Sequence, residues 1–526
     1  GVAGTGDNAF GFINRGTING QGVYSGVASN AIVFGGNPGQ TVTISGGIRN
    51  EGTVAALALG ANATAVRVGA GTTALRIFNS GAITGAVSSE IASSSATAIR
   101  IDAGATVNSF TNNGSILASA GGGVATVTAL LDLSGTLTSI TNSRSLQAAL
   151  NANDRGDPLT GSTTAIDVSA NTTGVTLIQT GVAAAATSAN PDTDGDGVPD
   201  SDEPFIAGAI KLGSGADTVD IRNGLVLGDL AFGAGADRLL ISGGGVVRGA
   251  VSDTDGALTI NVTNGTLDAR QTTRTNITTL NVGADGDLII TLDPASSTAG
   301  GFNVSGTATL ATGAGLGVRF ASLLTAPGRF VLIDATTLNF GTIDLKSIEA
   351  NSPYLYVVQA GANVPAGDVF VDVRQRTASE ARLIASEAAF YGAFYSSISD
   401  PDAVTIRSAF LAQTGREDFI NLYEQLLPDH SGGPLLSLSS GVDAVTRALT
   451  GRNASAAPGE TSAWVQEINF YADKDKTDTY GFRSEGFGVA GGVERGSGLG
   501  NVGISAAFTS SDLQDPEAEA EEVLSA

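Results

Sequence analysis

Cysteine and methionine are both missing from this 526-residue chain, histidine and tryptophan occur once each, and aromatic residues make up only 6%. Each absence removes a class of answer. Without cysteine there is neither a disulfide framework nor a thiolate metal site, so stability has to come from repeated packing and backbone ladders. Without methionine there is no initiator, and the chain reads as a processed or trimmed product. The lone histidine, His430, would have to serve any Ser-His-Asp triad, but its nearest candidates Asp429 and Ser431 are sequence neighbours, which rarely supply triad geometry. They read instead as groups that satisfy local helix ends. No nucleophile elbow, zinc-protease helix or phosphate loop is present. No apolar run is long enough for a membrane helix, and the first residues lack the charged-then-apolar pattern of a signal peptide.

Basic residues are scarce as well: 27 Lys and Arg against 51 Asp and Glu give a formal net charge of -24. That balance argues against a nucleic-acid partner and against docking on anionic lipid, both of which want basic patches. It fits solubility on a cell surface, and it attracts divalent cations. With only 14 prolines and no glycine at every third position, the chain is neither a disordered Pro/Gly polymer nor a collagen helix. What is abundant is glycine, 72 residues of it, together with Ala, Thr, Ser, Asn and Val, a mixture that favours turns and short strands. The length exceeds what one compact core supports, so several domains or one elongated repeat structure is expected.

A repeat is present. Asn14-Arg-Gly-Thr-Ile, Asn50-Glu-Gly-Thr-Val, Asn79-Ser-Gly-Ala-Ile and Asn112-Asn-Gly-Ser-Ile share one phrase, with a degraded copy at Asn142-Ser-Arg-Ser-Leu, at steps of 36, 29, 33 and 30 residues. A second phrase, Ala65-Val-Arg-Val-Gly-Ala-Gly and Ala98-Ile-Arg-Ile-Asp-Ala-Gly, precedes two of them. A coil period with variable loops indicates a solenoid. Further on, Gly213-Ser-Gly-Ala-Asp217 and Gly233-Ala-Gly-Ala-Asp237 repeat more tightly, and the apolar residues Ile221, Ile241, Ile260 and Leu280 follow at steps of 20, 19 and 20. These are read as one inward column of a parallel β-helix.

Beyond about residue 275 the strands lengthen, as in Leu288-Ile-Ile-Thr-Leu-Asp. From Ala378 the pattern turns helical, with stripes of Leu383, Ile384, Phe390, Tyr391, Phe394 and Tyr395 and later of Phe419, Leu422, Tyr423 and Leu426 before Pro428. A last helix is expected over about Ser440 to Arg452, carrying Val442, Val445 and Leu449 and an Asp443–Arg447 pair. Alternating segments begin at Trp464. Phe487, Val489 and Val493 alternate with Gly486, Gly488, Ala490 and Gly492, and Val502, Ile504 and Phe508 alternate with Asn501, Ser505 and Thr509. One face suits lipid and the other is small or polar.

This succession resembles a type V autotransporter, in which a surface passenger is followed by the outer-membrane barrel that anchors it. The resemblance implies an all-β fold: a right-handed parallel β-helix passenger over 1–275, an autochaperone-like cap over 276–376, a helical linker with a pore helix over 377–460, and the first strands of a transmembrane antiparallel β-barrel over 461–526. Small Gly486, Gly488 and Ala490 would leave room for the helix in the lumen. About three strands fit between Trp464 and Ala526, too few to close, so the protein is expected to continue past Ala526, with Asp515-Pro-Glu-Ala-Glu-Ala-Glu-Glu as a solvent loop. The missing cysteines suit passage through a periplasm and a narrow pore.

The sharpest local motif is Asp192-Thr-Asp-Gly-Asp-Gly-Val-Pro-Asp-Ser-Asp-Glu203, which fits the calcium loop of EF-hands and resembles thrombospondin type 3 and dockerin repeats. Asp192, Asp194, Asp196, the Val198 carbonyl, Asp200 and Glu203 fall at the ligand positions, and Gly197 at the turn, so a structural Ca2+ is expected there. Ala183 to Ala186 makes a weak entering helix and Pro204 follows the loop at once, both departures from an EF-hand. The phrases ending in Asp217 and Asp237 resemble the calcium nonapeptide of repeats-in-toxin proteins, but they lie twenty residues apart rather than nine, so they read as glycine turns with solvated aspartates. Asp102, Asp132, Asp154 and Asp167 are the other passenger carboxylates; a polysaccharide hydrolase or lyase would need two of them in one groove, and solvated turns are the default.

The expectation is therefore an outer-membrane autotransporter of a Gram-negative cell. It would hold lipid through its barrel and display an adhesive or structural passenger that touches another cell, a surface or further copies of itself, without catalysis. The alternatives are a calcium-stabilised surface lattice and a surface or secreted enzyme acting on polysaccharide. No asparagine pair in the linker suggests self-cleavage, so the passenger is expected to stay attached.

Overall fold

The recurring Asn-X-Gly phrase is the corner of a stacked coil. The computed structural model describes residues 5–37, 39–88, 94–122, 125–152, 160–183, 191–192, 197–427, 432–451, 456–475, 481–514 and 521–525. In it Asn14, Asn50, Asn79, Asn112 and Asn142 hold one register position on successive parallel strands. Each Asn donates from Nδ2 to Oδ1 of the next, at 2.8 Å in all four steps. The amide also ties down its own corner, as when Asn79 donates to Gly81 O at 3.1 Å. The glycines stack in turn. A Cβ on Gly52, Gly81 or Gly114 would sit 2.1, 2.0 or 2.2 Å from the carbonyl oxygen of the glycine one coil earlier, so a larger residue would push the corners apart. Asn142 passes the ladder to Gln179, which ends it on the carbonyls of Asn223 and Pro204.

Three strands make a coil in this region. Arg76–Asn79, Ala82–Ser88 and Ser95–Ile101 are stacked in parallel by Ser109–Asn112, Ser115–Gly121 and Thr126–Asp132. Alternate side chains point inward, and the inward ones form an unbroken column: Ile48, Ile77, Phe110, Ile140, Leu177, Val219, Leu239, Ile260, Leu280, Ala308 and Leu338. Nearly all are fully buried, and each large one contributes roughly 1.5–3 kcal/mol of transfer free energy. The described residues thus form a parallel β-helix-like solenoid, with one sheet of 25 strands and a second of eight from Ser29–Phe34 to Val251–Ser252.

The register corrects one expectation. Ile260 stacks on Leu239 rather than on Ile241, whose partner is Val262. The extra residue lies in the corner after Ile241, since Ile241 and Val246 are five positions apart where their partners Ile221 and Leu225 are four apart, so matching the last isoleucine of each phrase slips the alignment by two positions while keeping it on the inward face.

Past residue 275 the strands lengthen to Thr279–Asp293 and Gly328–Phe340, and the latter pairs antiparallel with Asp368–Gln375, which ends the parallel stacking. Helix α1, Leu345–Ala350, is capped by the Asp344 carboxylate and held by Ser347, which donates to Asp287 at 2.6 Å. Buried Asp268 accepts from Arg270 and from Arg319, joining residues 51 positions apart.

The chain divides into two compact units, residues 1–374 and 375–526. In the second, helices α2 (Ala385–Ile398), α3 (Val404–Ala412) and α4 (Arg416–Glu424) surround Tyr391, Phe394, Phe410, Phe419 and Tyr423, with the Phe394 and Phe410 rings 4.6 Å apart. The helical stripe expected from Ala378 begins only at Ala385, because the preceding residues turn at Arg382, whose φ is 56°. Helix α5 spans Gly433–Thr450, starting earlier than expected because Pro434 fits a helix's first turn and Gly441 is accommodated inside. No helix among the described residues is long and apolar enough to cross a membrane. Strands Thr461–Lys474, Phe482–Ser497, Gly500–Gln514 and Glu521–Ser525 form an antiparallel meander. The last of these corrects the solvent-loop reading at its end, since Glu521 and Glu522 pair with Leu513 and Asp512; residues 515–520 lie outside the described set.

Candidate functional site

Helix α5 lies against one face of the antiparallel meander. Its buried residues are the small ones, Gly433, Ser437, Gly441, Ala444 and Ala448. Ala444 and Ala448 pack with Ile468 and Ala490, with Trp464, Phe470 and Ala507 at the border. The Phe470 ring occupies the gap: a Cβ on Gly441 would meet it at 3.2 Å and one on Gly486 at 2.1 Å. Near the helix N-terminus, the Ser437 hydroxyl is 2.8 Å from those of both Ser484 and Ser511, an all-buried trio that joins helix to strands. Of the three apolar residues that the sequence sets on this helix, only Val445 packs against this cluster. Val442 and Leu449 are exposed, because a close helix-to-sheet approach selects side chains by size and the small face wins.

The opposite face of the meander is apolar and uncovered. Val465, Phe487, Val489, Val493, Val502, Ile504 and Phe508 are 41–85% exposed, and they share rows across the strands, as in Val493 beside Ile504 and Val489 beside Phe508. Alternation is what the sequence pattern requires of a two-faced sheet. Trp464 lies on the helix side, not on this outer face.

The acidic loop is an insertion between the consecutive strands Thr176–Gln179 and Phe205–Ala207, which stack on different strands of the neighbouring coils. Asp192 Oδ2 accepts from Gly197 N at 3.0 Å, Gly197 has a φ of 92°, and Val198 is buried by its side chain. Asp202 pairs with Arg144 at the end of the asparagine ladder. Asp194 and Asp196 lie outside the described residues, and among the described residues no group of three or more His, Asp or Glu converges on a metal position.

The aspartates of the tighter repeat are not solvated. Asp217 and Asp237 are 0% and 1% exposed, which corrects the solvated-turn reading. Each carboxylate reaches back one coil to a backbone N–H: Val175 N donates to Asp217 Oδ1 at 2.6 Å, and Asp217 N to Asp237 Oδ1 at 2.7 Å. In the next turn Asp253 accepts from Leu258 N at 3.1 Å, and Asp255 accepts from Gly235 N at 2.9 Å. These N–H groups lie in the corners, where the ladder leaves gaps that a short carboxylate fills. Burial pushes the Asp237 carboxyl up to about 6, with the negative Asp217, Asp253 and Asp255 adding to it and the Asp217 N–H opposing.

The remaining passenger carboxylates are also committed locally. Asp102 bridges the stacked Arg67 and Arg100 at 2.7 and 2.6 Å; burial pushes its carboxyl up, but the two guanidiniums hold it below the usual range. Fully buried Asp132 accepts from Ser134 N and Leu137 N, and Asp167 from Ser169 N and Oγ. For Asp102 and Asp132 burial replaces the expected solvation. Asp154, and Asp429, His430 and Ser431, lie outside the described residues. The i, i+2 pattern Asp-X-Ser, visible in Asp132-Leu-Ser134 and Asp167-Val-Ser169, was the signal for these local turns.

The molecule therefore presents two classes of surface: a polar parallel solenoid with its carboxylates turned to its own backbone, and a two-faced antiparallel sheet carrying a helix on its small side. Comparison of the chain with protein-family models, with curated proteins and with solved structures gave no match.

Proposed function

We propose that this chain is an outer-membrane autotransporter of a Gram-negative cell that displays a right-handed β-helical passenger. The observation that carries the reading is the sidedness of the C-terminal sheet. Small Ala490 and Gly486 receive helix α5 on one face, while Val465, Phe487, Val489, Val493, Val502, Ile504 and Phe508 stand uncovered on the other. In water that outer face is costly, whereas in hydrocarbon it is matched. Helix α5 then occupies the lumen of a transmembrane barrel, and the solenoid stands outside the cell as an adhesive or structural element. A Ca2+ held by Asp192, Asp194, Asp196, Val198 O, Asp200 and Glu203 would stiffen the inserted loop.

Fractionation of producing cells tests this. Protease added to intact cells is expected to release peptides from the solenoid, while Trp464 to Gln514 stays in the outer-membrane fraction and migrates as a heat-modifiable band. A product that fractionates wholly as soluble protein, with both regions equally cleaved, would overturn the reading. Calcium titration calorimetry on the wild type and on Asp192→Asn with Glu203→Gln separately checks the loop, which fails as a site if the two heats match.

A further inference from the structure

At one corner of the tight repeat a buried carboxylate lies within reach of three other negative charges and of no counter-ion among the described residues. Asp237 is packed between Asp217 on the coil before it and Asp253 and Asp255 on the coil after it, and these are the charged groups that act on it. Among the described residues none of the four forms an ion pair with Lys or Arg; Arg238, next in sequence to Asp237, is exposed. In Asp217, Asp237 and Asp253 one oxygen holds a backbone N–H while the other, Asp217 Oδ2, Asp237 Oδ2 and Asp253 Oδ1, is buried without a hydrogen-bond partner; in the exposed Asp255 both oxygens are held, by the N–H groups of Gly235 and Ala257. A buried carboxylate oxygen without a donor, beside two more of its kind, is costly when charged and much less so when protonated.

We propose that Asp217, Asp237 and Asp253, with the exposed Asp255 beside them, form a proton-operated clasp that loosens this corner of the solenoid at neutral pH and tightens it in acid. The geometry supplies both halves. The N–H bonds from Val175, Asp217, Leu258 and Gly235 tie neighbouring coils and turns together, and mutual repulsion of the carboxylates that accept them works against that tie. The Asp237 carboxyl rises from 3.8 to about 6 in the fold, so its contribution to stability is fully present below 3.8 and is lost as pH rises through about 6. Asp217 and Asp253 are shifted in the same direction, first by burial. This reverses the usual acid response of a carboxylate-rich protein, in which paired aspartates are lost on acidification.

Hydrogen exchange of the full chain at pH 7.5 and pH 5, corrected for the intrinsic rate, reads the clasp directly. From the Asp237 shift alone, local opening at the amides of Val175, Asp217 and Leu258 is expected to fall roughly tenfold at pH 5, with no such change at the amides of Thr126–Asp132. Asp237→Asn keeps the acceptor oxygen without the charge, and is expected to give strong protection at both pH values; Asp253→Asn is expected to give a fraction of the same effect. Protection in the wild type that is constant or weaker in acid would overturn the proposal. So would full pH dependence in Asp237→Asn, or protection at pH 7.5 raised to the acid level by added Ca2+, which would assign the column to a cation.

Discussion

Replacing Asn112 with alanine removes the centre of the asparagine ladder. Asn112 is fully buried, accepts from Asn79 at 2.8 Å, and donates to Asn142 Oδ1 at 2.8 Å and to Ser145 O at 3.0 Å. Asn79 keeps other acceptors at Gly81 O and Ser115 O, so its loss is small. Asn142 Oδ1 loses the donor it receives and stays buried, at about 1–3 kcal/mol, and each lost inter-coil bond adds about 1 kcal/mol. Allowing for the polar group that alanine no longer buries, Asn112→Ala is expected to cost about 3 kcal/mol locally. Native-state hydrogen exchange at the amides of Ser115–Gly121 should then run roughly a hundredfold faster. The exposed neighbour serves as control, since Asn113→Ala loses one hydrogen bond from Ser143 and should stay within about 0.5 kcal/mol. If Asn112→Ala changes exchange by less than threefold, or no more than Asn113→Ala does, the ladder is not what holds the coils in register.

Asp268→Ala leaves Arg270 and Arg319 without their shared carboxylate; because both arginines are about 40% exposed and can hydrate, the expected loss is about 2 kcal/mol in urea unfolding, and a change below about 0.5 would refute the role. Gly441→Leu drives a side chain into the Phe470 ring at a cost of about 1–3 kcal/mol while raising helix propensity, so α5 should remain helical by circular dichroism yet become open to protease. Unchanged protection of Gly433–Thr450 would show that the close approach does not matter. Ile504→Lys, on the outer face, should lower membrane incorporation by roughly 2–4 kcal/mol, whereas Ser505→Lys would not report on that face; equal incorporation of Ile504→Lys and wild type contradicts a lipid contact.

What could be read from the sequence follows from which physical constraint writes a pattern. Asn14 to Asn142 were legible because the same amide has to bond both its own corner and the next coil, and the close glycine contact marks the same spot. The inward columns were legible in kind, but Ile260 shows that register depends on turn length, which a single extra residue shifts without leaving a trace in hydrophobicity. Buried Asp217 and Asp237 were misread because a glycine-flanked aspartate looks the same whether its carboxylate faces water or a neighbouring coil's N–H. Helix α5 was foreseen only from about Ser440, whereas it starts at Gly433 with Pro434 in its first turn, and packing of Gly441 on Phe470 offsets the intrinsic cost of glycine in a helix. For the acidic loop, the spacing of Asp192, Asp200 and Glu203 remains the informative signal, and Arg144 on Asp202 was not foreseen.

The column from Ile48 to Leu338 also has a mechanical meaning. Its coils are joined by hydrogen bonds that lie along the stacking direction, so a pull on the ends of the solenoid loads successive rows in series rather than side by side. Rows loaded in series separate singly, the weakest first. A coil of the tight repeat, with the 20-residue spacing of Asp217 and Asp237, would release roughly 70 Å of chain as it opened. Tethered at one end and pulled at the other, the solenoid would lengthen in discrete increments while the coils behind the break kept their form.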